Sequence, residues 1–145
     1  PTTLLQPRKH TTMSHYHAVV WLDHTEAHVI HFSRDDVQTF TAHASDKHPH
    51  LHHKRGSVGS GHRAEDAQYF GEVVKLLGGA QEILVTGPGS AKLELVKYAH
   101  KHAAALVDKI MGVESADHPT DGQIVAHARR YFDAKDKMLD QGGHR

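Results

Sequence analysis

Apolar residues occupy both faces of one short segment, Tyr16-His-Ala-Val-Val-Trp-Leu-Asp23. Side chains alternate along a strand, so every second residue shares a face: Ala18, Val20 and Leu22 on one side, Val19 and Trp21 on the other. Strands that are covered on both faces read as continuous apolar runs. The segment therefore predicts a central, fully buried strand.

Two further strand-like segments follow at short spacing. Glu26 to Ser33 begins after the link His24-Thr25, and Asp36 to His43 begins after Arg34-Asp35. Links of two residues are typical of antiparallel hairpins. The sequence thus predicts a three-stranded meander, and its exposed third strand leaves edge pairing into a homodimer open.

Helical and strand-like segments alternate in the second half of the chain. An apolar stripe predicts a first helix that ends at Gly78-Gly79, with inward residues Ala67, Phe70, Val73, Val74 and Leu77. A buried strand over 81–86 precedes a helix from Ser90, its expected cap, to about Ala104. A fifth strand is predicted over 107–113. The last helix is predicted from Thr120 or Asp121 to about Lys135, with Ile124, Ala128 and Tyr131 inward.

The predicted element order is βββαβαβα. Right-handed crossovers that add parallel strands beside the most buried strand give the sheet order 3-2-1-4-5. This is an α/β fold with a ribonuclease-H-like mixed five-stranded sheet. At 145 residues the chain has the size of one domain. We expect that domain to span 14–137, between a disordered N-terminal extension, 1–13, and a C-terminal tail, 138–145.

Composition excludes several classes of function. The chain has no cysteine, which excludes disulfides, cysteine-bearing zinc sites and thiol catalysis. It has 17 basic and 17 acidic residues, so its balance alone indicates no polyanionic partner, but its 17 histidines make the net charge depend on pH. No apolar run has the length of a membrane span or signal peptide. We expect a soluble, cytoplasmic protein without membrane contact.

One segment has a composition that folding does not explain. The basic segment, His43–Arg63, contains Lys47, Lys54, Arg55 and Arg63 against Asp46 alone, a net charge of +3 with histidines neutral. Its glycines, Gly56, Gly59 and Gly61, permit close approach, and its cations suit phosphate oxygens. We interpret it as a flexible loop that binds RNA or another polyanion, because long loops inside compact domains are often functional. The alternative is a solvated insertion without a ligand.

Histidines suggest metal binding as a further alternative. His48, His50, His52 and His53 lie close together in the basic segment, and imidazole binds zinc, nickel and copper. His15 and His17 form a pair, with His28 and His31 nearby in sequence. Since no ordered ligand spacing accompanies them, we predict adventitious binding and no physiological cofactor, against the alternative of a metal-buffering or metal-sensing protein. His100 and His102 are expected to interact with the negative end of a helix.

Enzymatic function is the less favoured class. Metal-dependent nucleases of this fold need clustered carboxylates, for which the candidates are Asp23, Glu65, Asp66 and Asp121. At the tip of the fourth strand, where another carboxylate is needed, the sequence reads Thr86-Gly-Pro-Gly-Ser90. The turn Gly87-Pro-Gly-Ser-Ala-Lys92 could hold an anion on helix amides, but a tight strand-to-helix turn is the favoured interpretation. Trp21 and Phe70 are expected in the core.

Three features carry a family resemblance. The strand Ala18-Val-Val-Trp-Leu-Asp23, the basic segment leading straight into a helix, and Ile83-Leu-Val-Thr-Gly-Pro-Gly-Ser-Ala-Lys92 together resemble the central domain of class-1 peptide-chain release factors and Pelota. The chain is more similar still to small bacterial relatives labelled translational machinery proteins. The resemblance covers Tyr16 to Phe132.

The resemblance implies association with the ribosome. In those release factors the loop after the third strand carries Gly-Gly-Gln and promotes hydrolysis of peptidyl-tRNA, whereas here the matching residues are Arg55-Gly-Ser-Val-Gly-Ser-Gly-His62. Hydrolysis is therefore not carried over, and the enzymatic alternatives are a peptidyl-tRNA hydrolase using His62 and the metal-dependent nuclease. What is implied is a rescue, stress or hibernation factor that binds rRNA or tRNA without a small-molecule cofactor. The expected contacts are Lys47, Lys54, Arg55, His62, Arg63 and the amides of Gly56, Gly59 and Gly61.

Overall fold

The computed structural model describes residues 16–44 and 55–143, with side chains over 16–44 and 66–135. The described strands are β1 (His17–Leu22), β2 (Glu26–Phe32), β3 (Val37–His43), β4 (Glu82–Gly87) and β5 (Ile110–Ser115). The described helices are α1 (Arg55–Leu76), α2 (Ala91–His102), α3 (Ala104–Val107) and α4 (Asp121–Gly143). The predicted α/β order is confirmed, with α3 as an additional short helix.

The sheet has the predicted order β3-β2-β1-β4-β5. β1 pairs antiparallel with β2 and parallel with β4, which places Val20 opposite both Val29 and Val85. β3 pairs antiparallel with β2, and β5 parallel with β4. The central position of β1 agrees with its two apolar faces, because a strand in the middle of the sheet is buried by helices on both sides.

Each face of β1 belongs to a separate apolar core. On one face Ala18, Val20 and Leu22 pack with residues of α1 and α2, which are Tyr69, Phe70, Val73, Ala91 and Leu95, and with Leu77, which directly follows α1. On the other face Val19 and Trp21 pack with residues of α4: Ile124, Ala128 and Phe132. Trp21 is 3% exposed and Phe70 is 4% exposed, so the predicted core positions of both aromatic residues are confirmed.

Two predicted boundaries in the C-terminal half are wrong. Val107, expected in the fifth strand, ends the short helix α3, and β5 begins at Ile110. The run Ala103-Ala-Ala favours helix over strand, which delays the start of β5. α4 continues to Gly143, so residues 138–143 are helical where a tail was predicted. Within the described part of the chain, every helix is too short or too polar to cross a membrane.

The start of α1 also differs from the prediction. The helix begins at Arg55, so residues 55–63 form its first turns instead of a loop. The three glycines of the segment do not prevent a helix, because each costs only about 1 kcal/mol relative to alanine and each residue added to a helix gains a hydrogen bond. The other predicted loop residues after Ala44, together with the N-terminal extension, lie outside the described residues.

Candidate functional site

The basic segment connects the edge of the sheet to α1. Its first residue, His43, ends β3, where the neighbouring Ala44 amide donates to the carbonyl of Thr25 at 2.9 Å. Arg55, Gly56, Gly59, Gly61, His62 and Arg63 all lie within the first turns of α1. Lys47, Lys54 and the four clustered histidines lie outside the described residues. The structure thus fixes the backbone at both ends of the candidate RNA-binding segment.

Asp23 forms the turn that follows β1. Its Oδ1 accepts hydrogen bonds from the amides of Thr25 and Glu26, at 2.8 and 2.9 Å, and from the Thr25 hydroxyl at 2.9 Å. Its Oδ2 lies 3.5 Å from Nε2 of His118. Partial burial raises the pKa of Asp23, but these donors outweigh burial and hold the pKa below its usual value. The carboxylate therefore stabilises a hairpin turn.

Histidine pairs with the other carboxylates at this end of the sheet. His28 Nε2 lies 3.2 Å from Glu26 Oε2, and His28 Nδ1 lies 2.9 Å from Asp121 Oδ1 without meeting hydrogen-bond geometry. His43 Nε2 lies 3.6 Å from Glu26 Oε1. Nearby, burial and the charges of surrounding carboxylates raise the pKa of Tyr69, whose hydroxyl donates to the Asp23 carbonyl.

The nuclease constellation is not assembled in the described residues. Asp23 is held by its turn and Asp121 by His28, while Asp66 lines a groove between α1 and α2. The side chain of Glu65 lies outside the described residues. No group of three or more histidine, aspartate or glutamate side chains in the described part is arranged to hold a metal ion.

The histidines that were candidate metal ligands and lie within the described residues contact different partners. His17 pairs with Glu82 at 3.1 Å and stacks on Phe32, on the α4 side of the sheet. His31 lies 2.7 Å from the carbonyl of Leu76 at the end of α1. His15, His48, His50, His52 and His53 lie outside the described residues. His100 and His102 lie in the last turn of α2, as predicted.

The glycine turn after β4 is built for close packing. Gly87 has φ +149°, and a Cβ there would overlap the carbonyl oxygen of Leu22. Lys92 is 7% exposed and its Nζ donates to the carbonyl of Gly89. The one buried cation of this turn is thus used within the turn, which supports the structural interpretation. Ser90 precedes α2 without capping it, because its hydroxyl donates to Glu94 at 3.0 Å.

A cleft between β5 and α4 was not predicted from the sequence. Its volume is about 540 Å³, and its polar lining includes Glu114, His118, Gln123, His127 and Arg130. It lies at the carboxyl ends of β4 and β5, where open α/β sheets commonly bind ligands. His127 pairs with Glu114 at 2.7 Å, and Trp21 Nε1 donates to the Asp117 carbonyl at 2.7 Å, which holds the β5–α4 connection over the end of β1.

No protein-family model matches this sequence, and no curated protein is significantly similar to it. Pelota from Archaeoglobus fulgidus is structurally similar, with a TM-score of 0.56 at 13% sequence identity over 92% of this chain and 39% of Pelota. Pelota from Thermoplasma acidophilum gives 0.51 at 19% identity over 73% of this chain and 29% of Pelota. The chain has a Pelota-like fold.

The Pelota-like fold confirms, at the level of architecture, the resemblance that the sequence indicated. This chain spans about two fifths of the length of the Archaeoglobus protein and less than a third of the Thermoplasma protein. At these identities the likeness concerns the fold.

Proposed function

We propose that this protein is a non-catalytic translation factor that binds the ribosome, through rRNA or tRNA, with the basic segment. The observation that carries the proposal is the position of this segment in a Pelota-like fold, where it runs from the end of β3 into the first turns of α1. In the release factors that the chain resembles, the loop that carries Gly-Gly-Gln also follows the third strand. The position of the basic segment in the fold and its composition thus both support it as the RNA-binding element.

The distribution of charge supports the same surface. The whole chain has a formal charge of zero, and the basic segment alone carries +3, so the remaining residues carry −3. Phosphate backbones are attracted to clustered cations and repelled by acidic surfaces. The protein therefore approaches RNA with the basic segment first.

The helical start of α1 changes the expected role of the glycines. Gly56 lies in the first turn, where backbone amides have no partner within the helix and can donate to a phosphate. Gly59 and Gly61 lie further in, where their amides bond within the helix. Their contribution in this proposal is the absence of a side chain, which lets an RNA backbone approach.

The absence of Gly-Gly-Gln from the segment favours binding without hydrolysis. We therefore place the protein among rescue, stress or hibernation factors of the cytoplasm. A peptidyl-tRNA hydrolysis assay of the intact chain and of His62→Asn addresses the enzymatic alternative. Turnover that the substitution removes would contradict a non-catalytic role.

Co-sedimentation with ribosomes from growing and starved cells tests the proposal. The test variant is Lys47→Gln/Lys54→Gln/Arg55→Gln/Arg63→Gln. The matched control removes four exposed cations elsewhere, as Lys75→Gln/Lys97→Gln/Lys101→Gln/Arg130→Gln. We expect the intact protein and the control to pellet with ribosomes and the test variant to bind at least about tenfold more weakly, because four phosphate contacts are lost. Equal loss in both variants, or no sedimentation of the intact chain, would contradict the proposal.

A further inference from the structure

The edge strand β3 is open. Its partner within the described sheet is β2 alone, and every residue of Val37–His43 except Ala42 is exposed. Val37 is 43% exposed and Phe40 is 39% exposed. The strand contains no Lys, Arg, Asp, Glu or Pro, the residues with which proteins commonly block edge pairing. Among the described residues, β3 therefore lacks the usual protection against pairing with a further strand.

The opposite edge of the sheet, β5, is protected against pairing with a further strand. β5 carries the charged Glu114, which pairs with His127 of α4. Tyr131, also from α4, donates its hydroxyl to the carbonyl of Met111 at 2.9 Å. A charged side chain and a covering helix are both recognised means of blocking an edge. The difference between the two edges points to β3 as the pairing edge.

The hydrogen bonds to β2 show which residues of β3 face outward. Ser33 N–H donates to the Asp36 carbonyl, and Ala44 N–H donates to the Thr25 carbonyl, both at 2.9 Å. In an antiparallel ladder, bonded and non-bonded pairs alternate, so even-numbered residues bond to β2. The backbone groups of Val37, Thr39, Thr41 and His43 consequently point away from the sheet.

We propose that β3 pairs antiparallel with β3 of a second copy of this chain, about a two-fold axis at Phe40, so that the two sheets become one. In this register Val37 bonds to His43 of the second copy and Thr39 bonds to Thr41 of the second copy. All outward backbone groups of the strand are then paired. A two-fold axis at Thr39 or Thr41 would keep the alternation of bonded and non-bonded pairs, but it would leave one end of the strand without a partner.

Side chains and charge fit the same register. The two Phe40 residues face each other as a non-bonded pair, where Cα atoms are about 4.5 Å apart and aromatic pairs stabilise a sheet. No charged residue of Val37–His43 meets a like charge, because the strand has none when His43 is neutral. The acidic turn Asp35-Asp36 of one copy adjoins His43 of the other, which adds attraction when that histidine is protonated. The surface is therefore self-complementary.

This inference is independent of the proposed translation role, and its outcome is read separately from ribosome binding. It has one structural consequence for that role. The second copy's His43 lies opposite Val37, which is six residue steps along the strand from His43. The starts of the two basic segments therefore lie about 20 Å apart, at opposite ends of the paired strands. A dimer therefore offers two RNA-binding segments on one continuous sheet.

Analytical ultracentrifugation of the intact chain tests the pairing. We expect reversible association to twice the mass of one chain as the concentration is raised. Phe40→Lys should abolish it, because two lysines would face each other on the axis. Val113→Lys is the matched control, since Val113 is 38% exposed on the protected edge β5 and should leave association unchanged. Thr39→Pro is the second variant, and it removes an outward amide without removing a bond to β2.

Circular dichroism and thermal unfolding establish that each variant is folded. A mass of one chain at every concentration up to the millimolar range overturns the proposal, as does a Phe40→Lys or folded Thr39→Pro chain that still dimerises. Because the chain has no cysteine, Phe40→Cys introduces a single thiol at the axis, within disulfide distance of its copy. Under mild oxidation it should cross-link far faster than Leu93→Cys, on an exposed face of α2; equal rates contradict the register.

Discussion

Asp23 illustrates how one residue can suggest catalysis in a sequence and serve structure in the fold. Its carboxylate binds three donors of its own turn, and these lower its pKa. We predict that Asp23→Ala lowers the free energy of unfolding by about 2 kcal/mol at pH 7, the typical value of hydrogen bonds to a charged group. Denaturant titration followed by the fluorescence of Trp21, the only tryptophan, measures this.

The pH dependence of this effect has a definite sign. Since the folded-state pKa of Asp23 is below its usual value of 3.8, the stabilisation is complete above that pH and is lost as the pH falls through the lowered value. The stability difference between the intact chain and Asp23→Asn should therefore shrink in acid. A difference that is constant from pH 7 to pH 3 would contradict the assignment.

Gly87 permits the close approach of β1 and β4. Its φ of +149° and the overlap of any Cβ with the Leu22 carbonyl combine backbone strain with a steric clash. We predict that Gly87→Ala lowers the free energy of unfolding by more than about 3 kcal/mol. Gly79→Ala is the control: φ is +96° but nothing lies within 4 Å of its Cβ, so about 1–2 kcal/mol is expected. Equal losses of stability for the two variants in thermal unfolding would exclude the clash with Leu22 as the cause.

The start of helix α4 is capped, whereas the start of α2 is not. Gln123 N–H donates to the Thr120 hydroxyl at 3.1 Å, and Thr120 N–H donates to Gln123 Oε1 at 2.9 Å. This reciprocal pair is a capping box, so Thr120→Ala should lower the free energy of unfolding by about 1 kcal/mol. Ser90→Ala should change it by less than about 0.5 kcal/mol. Chemical denaturation compares the two, and a larger effect at Ser90 would contradict the capping assignment.

The sheet was predictable from sequence because its signals are local. The two apolar faces of β1 and the two-residue links of the meander specify the order β3-β2-β1 without reference to distant residues. The start of β5 and the start of α1 differ from the predictions because several weak preferences compete there. Alanines extended helical structure before β5, and helix propagation overcame the glycines of α1.

The candidate sites also differ in whether local sequence reveals them. The basic segment could be found from composition, since its charge and glycines are consecutive in sequence. The cleft lined by Glu114, His127 and Arg130 could not, because its side chains come from two elements that only the β5–α4 connection brings together. The indole of Trp21 holds that connection through Asp117, a contact between residues 96 positions apart. Spacing along a chain carries no signal for such contacts.

At the scale of the whole molecule, the chain is neutral near pH 7 but concentrates both its excess cations and many histidines in one segment. The basic segment contains His43, His48, His50, His52, His53 and His62, so full protonation would raise its charge from +3 to +9. Histidine in water gains a proton near pH 6.5. RNA affinity and its salt dependence should therefore both increase in mild acid.

Measuring the salt dependence of RNA binding at two pH values tests this prediction quantitatively. Each contacted phosphate adds about −0.7 to −0.9 to the slope of log K against log salt concentration, so we expect the slope to steepen by about 2 or more between pH 7.5 and pH 5.5. His48→Gln/His50→Gln/His52→Gln/His53→Gln should abolish most of the change. The matched control, His24→Gln/His100→Gln/His102→Gln/His127→Gln, replaces four exposed histidines outside the segment and should keep it. If the control loses the pH effect as fully as the test variant, the histidines of the basic segment are not the groups that bind RNA.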